Sequence, residues 1–537
     1  MVEAAGVEAA GRRVAAGSLP VTIAAALALL LAWQAVAGFV FSGHGAIPAP
    51  WQLVDQVRRD GPALYWDAAL ATLRAAAWGW LWGNALAIGL ALLIVLVPPI
   101  EGAAMQVGVA SYCVPLVAVG PILLIVFAGD TPRVVLAALS VLLTTLVGAL
   151  AGLRSADRTM LDMMHAFGGN PVQTLVKVRV RAALPSLFAA LCIAAPAAVL
   201  GAIVAEYMGA ETGLGVVMIN AQQALETART WDLAITATLL AGAGYGLTSL
   251  VARWLLPWAR DMRPEIDPGA GAARRVAGRP AVRALRTVAG AMVSLAVVLL
   301  LWWGILLALD ISPFIGKTPV DVWRYLAVGD LAAEHRGLVL GELAISLRDA
   351  ALGLVTGTAA AIATALLFTL SPTARRAFMG AALFLRSVPL VAMTPLIVLL
   401  FGRGLLAIAV IGAMITFFPT LVNLILALDR TPRESAEVLF VLGASRLQTL
   451  WAVQAPHALP SLFASLRVAA PLAITGAMLA EWLATGQGLG YAIMTSIGTA
   501  DYDGLWARVA LLTAASALLY TAVAAAERRL LARLGGG

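Results

Sequence analysis

Two carboxylates stand where a carboxylate is expensive. Glu206 and Glu481 each close a long apolar run, IAAPAAVLGAIVAEY (193–207) and VAAPLAITGAMLAEW (468–482). A charged side chain at the centre of a bilayer costs on the order of 2.5–3.5 kcal/mol on insertion scales, so an acid there either handles cargo or is hydrogen-bonded inside a bundle. Each is followed by a glycine turn, Gly213-Leu214-Gly215 in one case and Gly488-Leu489-Gly490 in the other. The two combinations read as acids at a gate, beside a partial hairpin. The competing reading is a carboxylate near the membrane interface, bonded within the bundle.

Other chemistry is poorly represented. His44, His165, His335 and His457 are scattered and build neither a metal site nor a triad. Cys113 and Cys192 lie in apolar runs and read as small buried residues. Gly316-Lys317-Thr318 has the end of a phosphate-binding loop but lacks its first glycine, with Ile311 in that place. No other phosphate-cradling loop is present, so the chain is expected to hydrolyse no ATP and to bind no cofactor itself.

The elements that must position these residues are membrane spans. Of 537 residues, 61% are hydrophobic and 12% charged, against about 25% charged in a typical soluble domain. The mean hydropathy is +0.92. Twelve helical spans are expected, near 21–41, 70–97, 103–127, 133–153, 184–209 and 231–257, then 285–309, 343–370, 378–402, 405–428, 459–484 and 505–527. Arginine concentrates on one side of this topology, at Arg154, Arg158, Arg179, Arg181, Arg430, Arg433 and Arg446 among others. That side is expected to be cytoplasmic, with both termini inside a bacterial inner membrane. The net charge of +7 is read this way. No basic stripe with interleaved aromatics points to nucleic acid.

A polar linker at 258–284 divides the chain into residues 1–257 and 285–537, and the two parts are copies. Residues 168–215 align without gaps on 443–490, with 24 of 48 positions identical. The match extends upstream, TLRAAAWGW (72–80) on SLRDAALGL (346–354) and CVPLVAVGP (113–121) on SVPLVAMTP (387–395). Six spans per copy is an even number, so the repeat is parallel. Pro115, Pro121, Pro389 and Pro395 predict kinks in the third span of each half. Arg386 and Arg467 are expected to snorkel to the interface.

Between spans four and five each copy has a long loop on the arginine-rich side. In the second it contains Glu437, Gly443 six residues later and Pro456 thirteen beyond that. This series resembles the EAA loop of bacterial ABC importer permeases. The continuation GASRLQTLWAVQAPHALPSLF and AEWLATGQGLGY resembles the nitrate, sulfonate and taurine branch of that family. The resemblance covers both halves. It implies two six-helix type I permease domains, all α, each with a cytoplasmic coupling helix. It also implies two partner ATPase subunits, which would carry ATP and magnesium, and an external substrate-binding protein. Gly443 would supply a turn after the coupling helix, and Pro456 a rigid break before span five. The first copy departs from the pattern: Asp162 replaces the glutamate and Arg181 the proline, while Gly168 remains. The alternative is an ion-driven secondary transporter of 6+6 design.

Overall fold

The computed structural model describes residues 47–97, 100–259, 280–371, 390–431 and 433–533, with parts of 30–38 and 373–379. Most of the expected span at 21–41, most of the linker, Arg386 and Pro389 lie outside the described residues. Among the described residues the chain is helical throughout and without strands. This follows from the composition, because lipid offers no partner to an open backbone group.

The first half runs α1 (Pro50–Asp60), α2 (Pro62–Leu96), α3 (Glu101–Cys113), α4 (Leu116–Val126), α5 (Thr131–Arg154) and α6 (Arg158–Ala166). It continues with α7 (Pro171–Tyr207), α8 (Leu214–Gln223) and α9 (Thr227–Leu255). The second half repeats this as α10 (Pro280–Ala308), α11 (Pro319–Trp323), α12 (Ala332–Leu370), α13 (Leu390–Phe401), α14 (Leu405–Asp429) and α15 (Arg433–Val441). It closes with α16 (Arg446–Thr485), α17 (Gly488–Gly498) and α18 (Tyr502–Arg533). Eight of these helices are long and apolar enough to cross a membrane: α2, α5, α7, α9, α12, α14, α16 and α18.

The third span of the first half corrects the expectation of one kinked helix. It is two helices, broken at Val114–Pro115, where Val114 is extended. Proline disfavours helical geometry in the residue before it, so the break falls one residue ahead of Pro115. Pro121 stays inside α4. The broken piece crosses to the other half: α4 packs on α16 and α17, and α13 packs on α8 and α9.

Spans two, four and five of each half meet at glycine. A Cβ on Gly353 would lie 2.7 Å from the Cα of Gly412, and one on Gly412 would lie 2.6 Å from the Cα of Gly353. One turn on, Gly357 faces Ala413 and Thr416. Gly79 and Gly83 meet Ala137, Ala138 and Val141 in the first half. Gly201 and Gly476 bring span five onto the same level. Small residues four apart let backbones approach where lipid provides no hydrophobic drive to association.

Packing is shared on one side and divided on the other. One apolar cluster runs through both halves and includes Tyr65, Val117, Leu214 and Met218 with Met393, Ile474, Leu489 and Leu512. Nearer α6 the cluster around Ile94, Leu146 and Leu175 belongs to the first half alone. Its counterpart around Phe368, Leu421 and Leu450 belongs to the second half alone. The halves are therefore joined on the face remote from α6 and α15.

On that remote face each half ties its last span to an earlier helix with a forked arginine. Arg229 on α9 donates from Nε and Nη2 to Asp60, at 2.8 and 2.5 Å, and Tyr65 donates to the same carboxylate at 2.8 Å. Arg508 on α18 donates to Glu342 at 2.8 and 3.2 Å and to Asp501 at 3.1 Å. The two arginines are not equivalent in the repeat, since Arg508 aligns with Leu233 and Arg229 with Gly504. Each half thus holds its bidentate tie at a different position of its last span. The Arg229 hydrogen bond holds Asp60 from its ordinary 3.8 down to about 2. A carboxylate lowered on folding stabilises above its unfolded value and loses that contribution as pH falls through the folded one. Arg229→Gln is therefore expected to lower the melting temperature at neutral pH. The deficit should persist to about pH 4 and shrink between 4 and 2. A deficit that is constant down to the lowest pH would contradict the assignment.

Candidate functional site

The loops between spans four and five fold into nearly identical devices. α6 and α15 are nine-residue helices. In the first, Asp157 caps the N-terminus by accepting from the Thr159 N–H at 2.9 Å. Both end at glycine in the left-handed region, Gly168 at φ +72° and Gly443 at +81°. The returning N–H groups bond back into the last turn, Gly169 to Met164 O at 2.8 Å and Ala444 to Leu439 O at 2.9 Å. Glycine is the residue that makes this closure without a Cβ penalty. A capping box starts the next helix in each copy. Asn170 and Gln173 bond reciprocally at 2.8 and 3.1 Å, and Ser445 and Gln448 at 3.3 and 2.7 Å.

From there the chain enters the membrane without a break. Pro171–Tyr207 and Arg446–Thr485 are single rods of 37 and 40 residues, roughly 55–60 Å at 1.5 Å per residue. Each carries one wide turn near its start, Leu175–Arg179 and Leu450–Gln454. Pro456 lies just after that turn and inside the helix, so it is not the break expected before span five. The first copy has the same wide turn with Arg181 in place of proline, so the turn does not depend on Pro456. Arg179 ties the first rod to α5 by donating to Leu153 O at 3.2 Å.

The acids of the loops, Asp162 and Glu437, are exposed. Large apolar side chains accompany them: Met163 and Phe167 on one copy, at 53% and 82% exposure, and Val438 and Leu442 at the matching positions, at 60% and 75%. Val172, Val176, Leu447 and Trp451 extend both patches into the wide turns. Such repeated exposure of apolar side chains on a polar-rimmed surface marks an interaction site.

At the far end of each rod stands one of the buried carboxylates. Glu206 is 1% exposed and Glu481 0%. Glu206 Oε2 accepts from the Gly215 N–H at 2.8 Å and from the Thr72 hydroxyl at 3.0 Å, and Thr72 Oγ1 accepts from the Leu214 N–H at 2.9 Å. The second half repeats the arrangement. Glu481 Oε2 accepts from Gly490 N–H at 2.7 Å and from the Ser346 hydroxyl at 2.9 Å, and Ser346 accepts from Leu489 N–H at 2.9 Å. One carboxylate and one hydroxyl thus satisfy two successive N–H groups that open α8 or α17, groups that have no partner within their own helix. Gly213 and Gly488 admit the carboxyl, since a Cβ there would lie 2.2 Å and 2.5 Å from its carbon. Gly215 and Gly490 let α8 and α17 rest on span five. Both hairpins finish in a left-handed non-glycine residue at equivalent positions, Leu225 and Ala500.

The surroundings differ. Arg133 lies 3.7 Å from Glu206 Oε1 and donates to Thr212 O at 2.7 Å. Ile408 aligns with it in the second half, where a buried Asp349 pairs instead with Arg348 at 2.8 Å. Arg467 does not snorkel. Its side chain, 13% exposed, pairs with Glu527 at 3.1 Å within the bundle and lies 5.9 Å from the centre of the Tyr520 ring.

Thr72 and Ser346 were missed by reasoning from composition, because a hydroxyl in an apolar helix ordinarily bonds its own backbone. Their signal was in the repeat: they are the first residues of the two aligned segments at 72–80 and 346–354, and both carry a hydroxyl.

Comparison with known proteins shows the family. The family model described as "Binding-protein-dependent transport system inner membrane component" matches twice, at residues 69–261 and 353–535. A formylaminopyrimidine transport permease protein of Halalkalibacterium halodurans is 28% identical over 233 residues, 43% of this chain and 91% of that protein. The taurine transport system permease protein of Escherichia coli is 28% identical over 238 residues, 44% of this chain and 86% of its own length. A riboflavin transport system permease protein of Chloroflexus aurantiacus is 39% identical over 145 residues, 27% of this chain and 54% of the relative. Under half of this chain thus corresponds to most of a taurine or formylaminopyrimidine permease, as two fused copies require. With both halves matched, the chain belongs to the binding-protein-dependent transport system inner membrane component family, as a multi-pass, all-α membrane protein with two copies of the permease unit in one polypeptide.

Proposed function

We propose that this chain is the fused permease of an ATP-driven importer: its two halves enclose one pathway, and α6 and α15 receive the push of two partner ATPase subunits on the cytoplasmic face. The observation that carries the reading is the pair of exposed nine-residue helices, each ended by a left-handed glycine and each leading directly into a rod through the bilayer. A lever of this kind serves a motor on one side of the membrane. The ion-gradient alternative leaves both loops without a task, and it needs free ionisable groups in depth, whereas Glu206 and Glu481 are bonded to the hairpins. The cargo would be handed over by an external binding protein on the face where the halves share their core. The relatives' printed cargoes, riboflavin, formylaminopyrimidine and taurine, differ in size and charge, and we assign none of them to this chain.

The coupling face gives the test. Phe167→Asp or Leu442→Asp places a charge in the apolar patch without touching a buried residue. Loss of a central apolar anchor costs about 2 kcal/mol in typical interfaces, so capture of the ATPase subunits by the affinity-tagged chain should fall more than about tenfold. The melting temperature of the isolated permease should not change. Undiminished capture by the double variant, or ATP-independent transport by the chain alone in proteoliposomes, would overturn the reading. Because Asp162 and Arg181 replace glutamate and proline in the first copy, the Leu442 variant is expected to lose more than the Phe167 variant.

A further inference from the structure

We propose that Glu206 and Glu481 are positioning residues of the transport cycle: each makes the hairpin α8 or α17 a rigid extension of the rod that starts at the coupling segment. The inference rests on the reading of the chain as an ATP-driven permease and adds where the motion goes. Three observations support it. Each rod is one continuous helix from the wide turn near the coupling helix to the carboxylate at the other end, and it runs on through its internal prolines, Pro185 and Pro196 in one and Pro460 and Pro471 in the other. The carboxylate then fastens the hairpin twice, directly at Gly215 or Gly490 and through the hydroxyl of span two at Leu214 or Leu489. The hairpins themselves lie against the third span of the opposite half, α17 against α4 and α8 against α13, in the core the two halves share.

A glycine turn between rod and hairpin would otherwise absorb a tilt of the rod. With the clamp closed, the tilt is delivered to the contact between the halves, where a path must open on the external face. The pattern of change between the copies agrees. The coupling end has drifted, Asp162 against Glu437 and Arg181 against Pro456, while the clamp keeps its glutamate and both glycines and exchanges only threonine for serine. The shared requirement is a carboxylate and a hydroxyl.

The test needs no knowledge of the cargo. In a background of Cys113→Ala and Cys192→Ala, spin labels are placed on two exposed pairs of equivalent positions. Thr159→Cys with Glu434→Cys, polar positions outside the apolar patch, reports the coupling helices, and Ala224→Cys with Thr499→Cys reports the hairpin ends. Distances are measured in the reconstituted complex with its ATPases, nucleotide-free and trapped with ATP and vanadate. In the unmodified clamp both pairs should change together. With Glu206→Ala and Glu481→Ala the coupling pair should still respond while the hairpin pair does not. Thr72→Val with Ser346→Ala removes only the hydroxyls, leaves the carboxylate bonded, and should reduce the hairpin response even if the glutamate variant fails to fold. Thr72→Ser with Ser346→Thr, which exchanges the natural solutions, should restore it. A full hairpin response in the valine–alanine variant overturns the proposal. A coupling pair that ignores nucleotide in the unmodified clamp overturns instead the reading of the chain as an ATP-driven permease.

Discussion

Gly412→Leu is expected to leave little correctly folded protein. Gly412 on α14 and Gly353 on α12 approach backbone to backbone, and a Cβ on Gly412 would stand 2.6 Å from the Cα of Gly353. No rotamer relieves that contact, because the obstacle is main chain rather than a side chain that can turn away. The two helices would have to separate, and Gly476 of α16, whose own Cβ would lie 3.2 Å from the Cα of Gly412, would lose its place with them. Mutational costs above about 4 kcal/mol are confined to mechanisms of this kind. Gly341 provides the control. It lies on the same α12, and nothing would come within 4 Å of a Cβ there. Leucine is the better helix former by nearly 1 kcal/mol, so Gly341→Leu should be neutral or slightly stabilising. Thermal unfolding of detergent-solubilised protein, followed by the monodisperse fraction on size exclusion, compares the two. Equal melting temperatures would show that the crossing is not held by the absence of side chains.

Gly488→Val is expected to have the second largest effect, and to act on the hairpin before the bundle. Gly488 has φ +83°, where a β-branched residue is strained. The new Cβ would also sit 2.5 Å from both Cδ and Oε2 of Glu481. The carboxyl must leave, and the Gly490 N–H and Ser346 hydroxyl lose their acceptor in a buried setting. Backbone strain contributes about 1–3 kcal/mol and each unmet buried group about 1–3 kcal/mol more. Hydrogen exchange in 488–498 should accelerate by orders of magnitude, while α6 and α15, which do not touch the clamp, should be unchanged. Gly213→Val should do the same to α8, since its Cβ would come within 2.2–2.5 Å of the Glu206 carboxyl. Unaltered exchange in either hairpin would remove the clamp from the account of this protein.

Much of this was legible in the linear chain. The all-α membrane class followed from apolar runs with too few charges, and the doubling from segments that realign at offsets of 274 and 275 residues. The family resemblance implied a short helix between spans four and five of each half, ended by Gly168 or Gly443, and its end was legible because a helix end is a local event decided by a few neighbouring residues. Glu206 and Glu481 stood out for the same reason: a carboxylate in an apolar run is conspicuous wherever the run goes. The spacing Gly79-x3-Gly83, repeated at Gly353 and Gly357, was also present in the sequence, but nothing local says which helix it meets.

What only the tertiary structure decided was partnership. It matched Thr72 with Glu206 across 134 positions and Ser346 with Glu481 across 135. It made Gly412 the counterpart of Gly353, and it sent the broken third span across to the opposite half. It also turned Arg467 inward to Glu527 and merged Pro456 into an unbroken rod. Caps, turns and hydropathy depend on residues within a turn or two, so the sequence determined them by itself. Hydrogen bonds between spans and close helix crossings depend on which faces meet after the bundle has formed. In an alanine-rich helix many faces are nearly equivalent, so their pairing is settled by the packing of all the spans together.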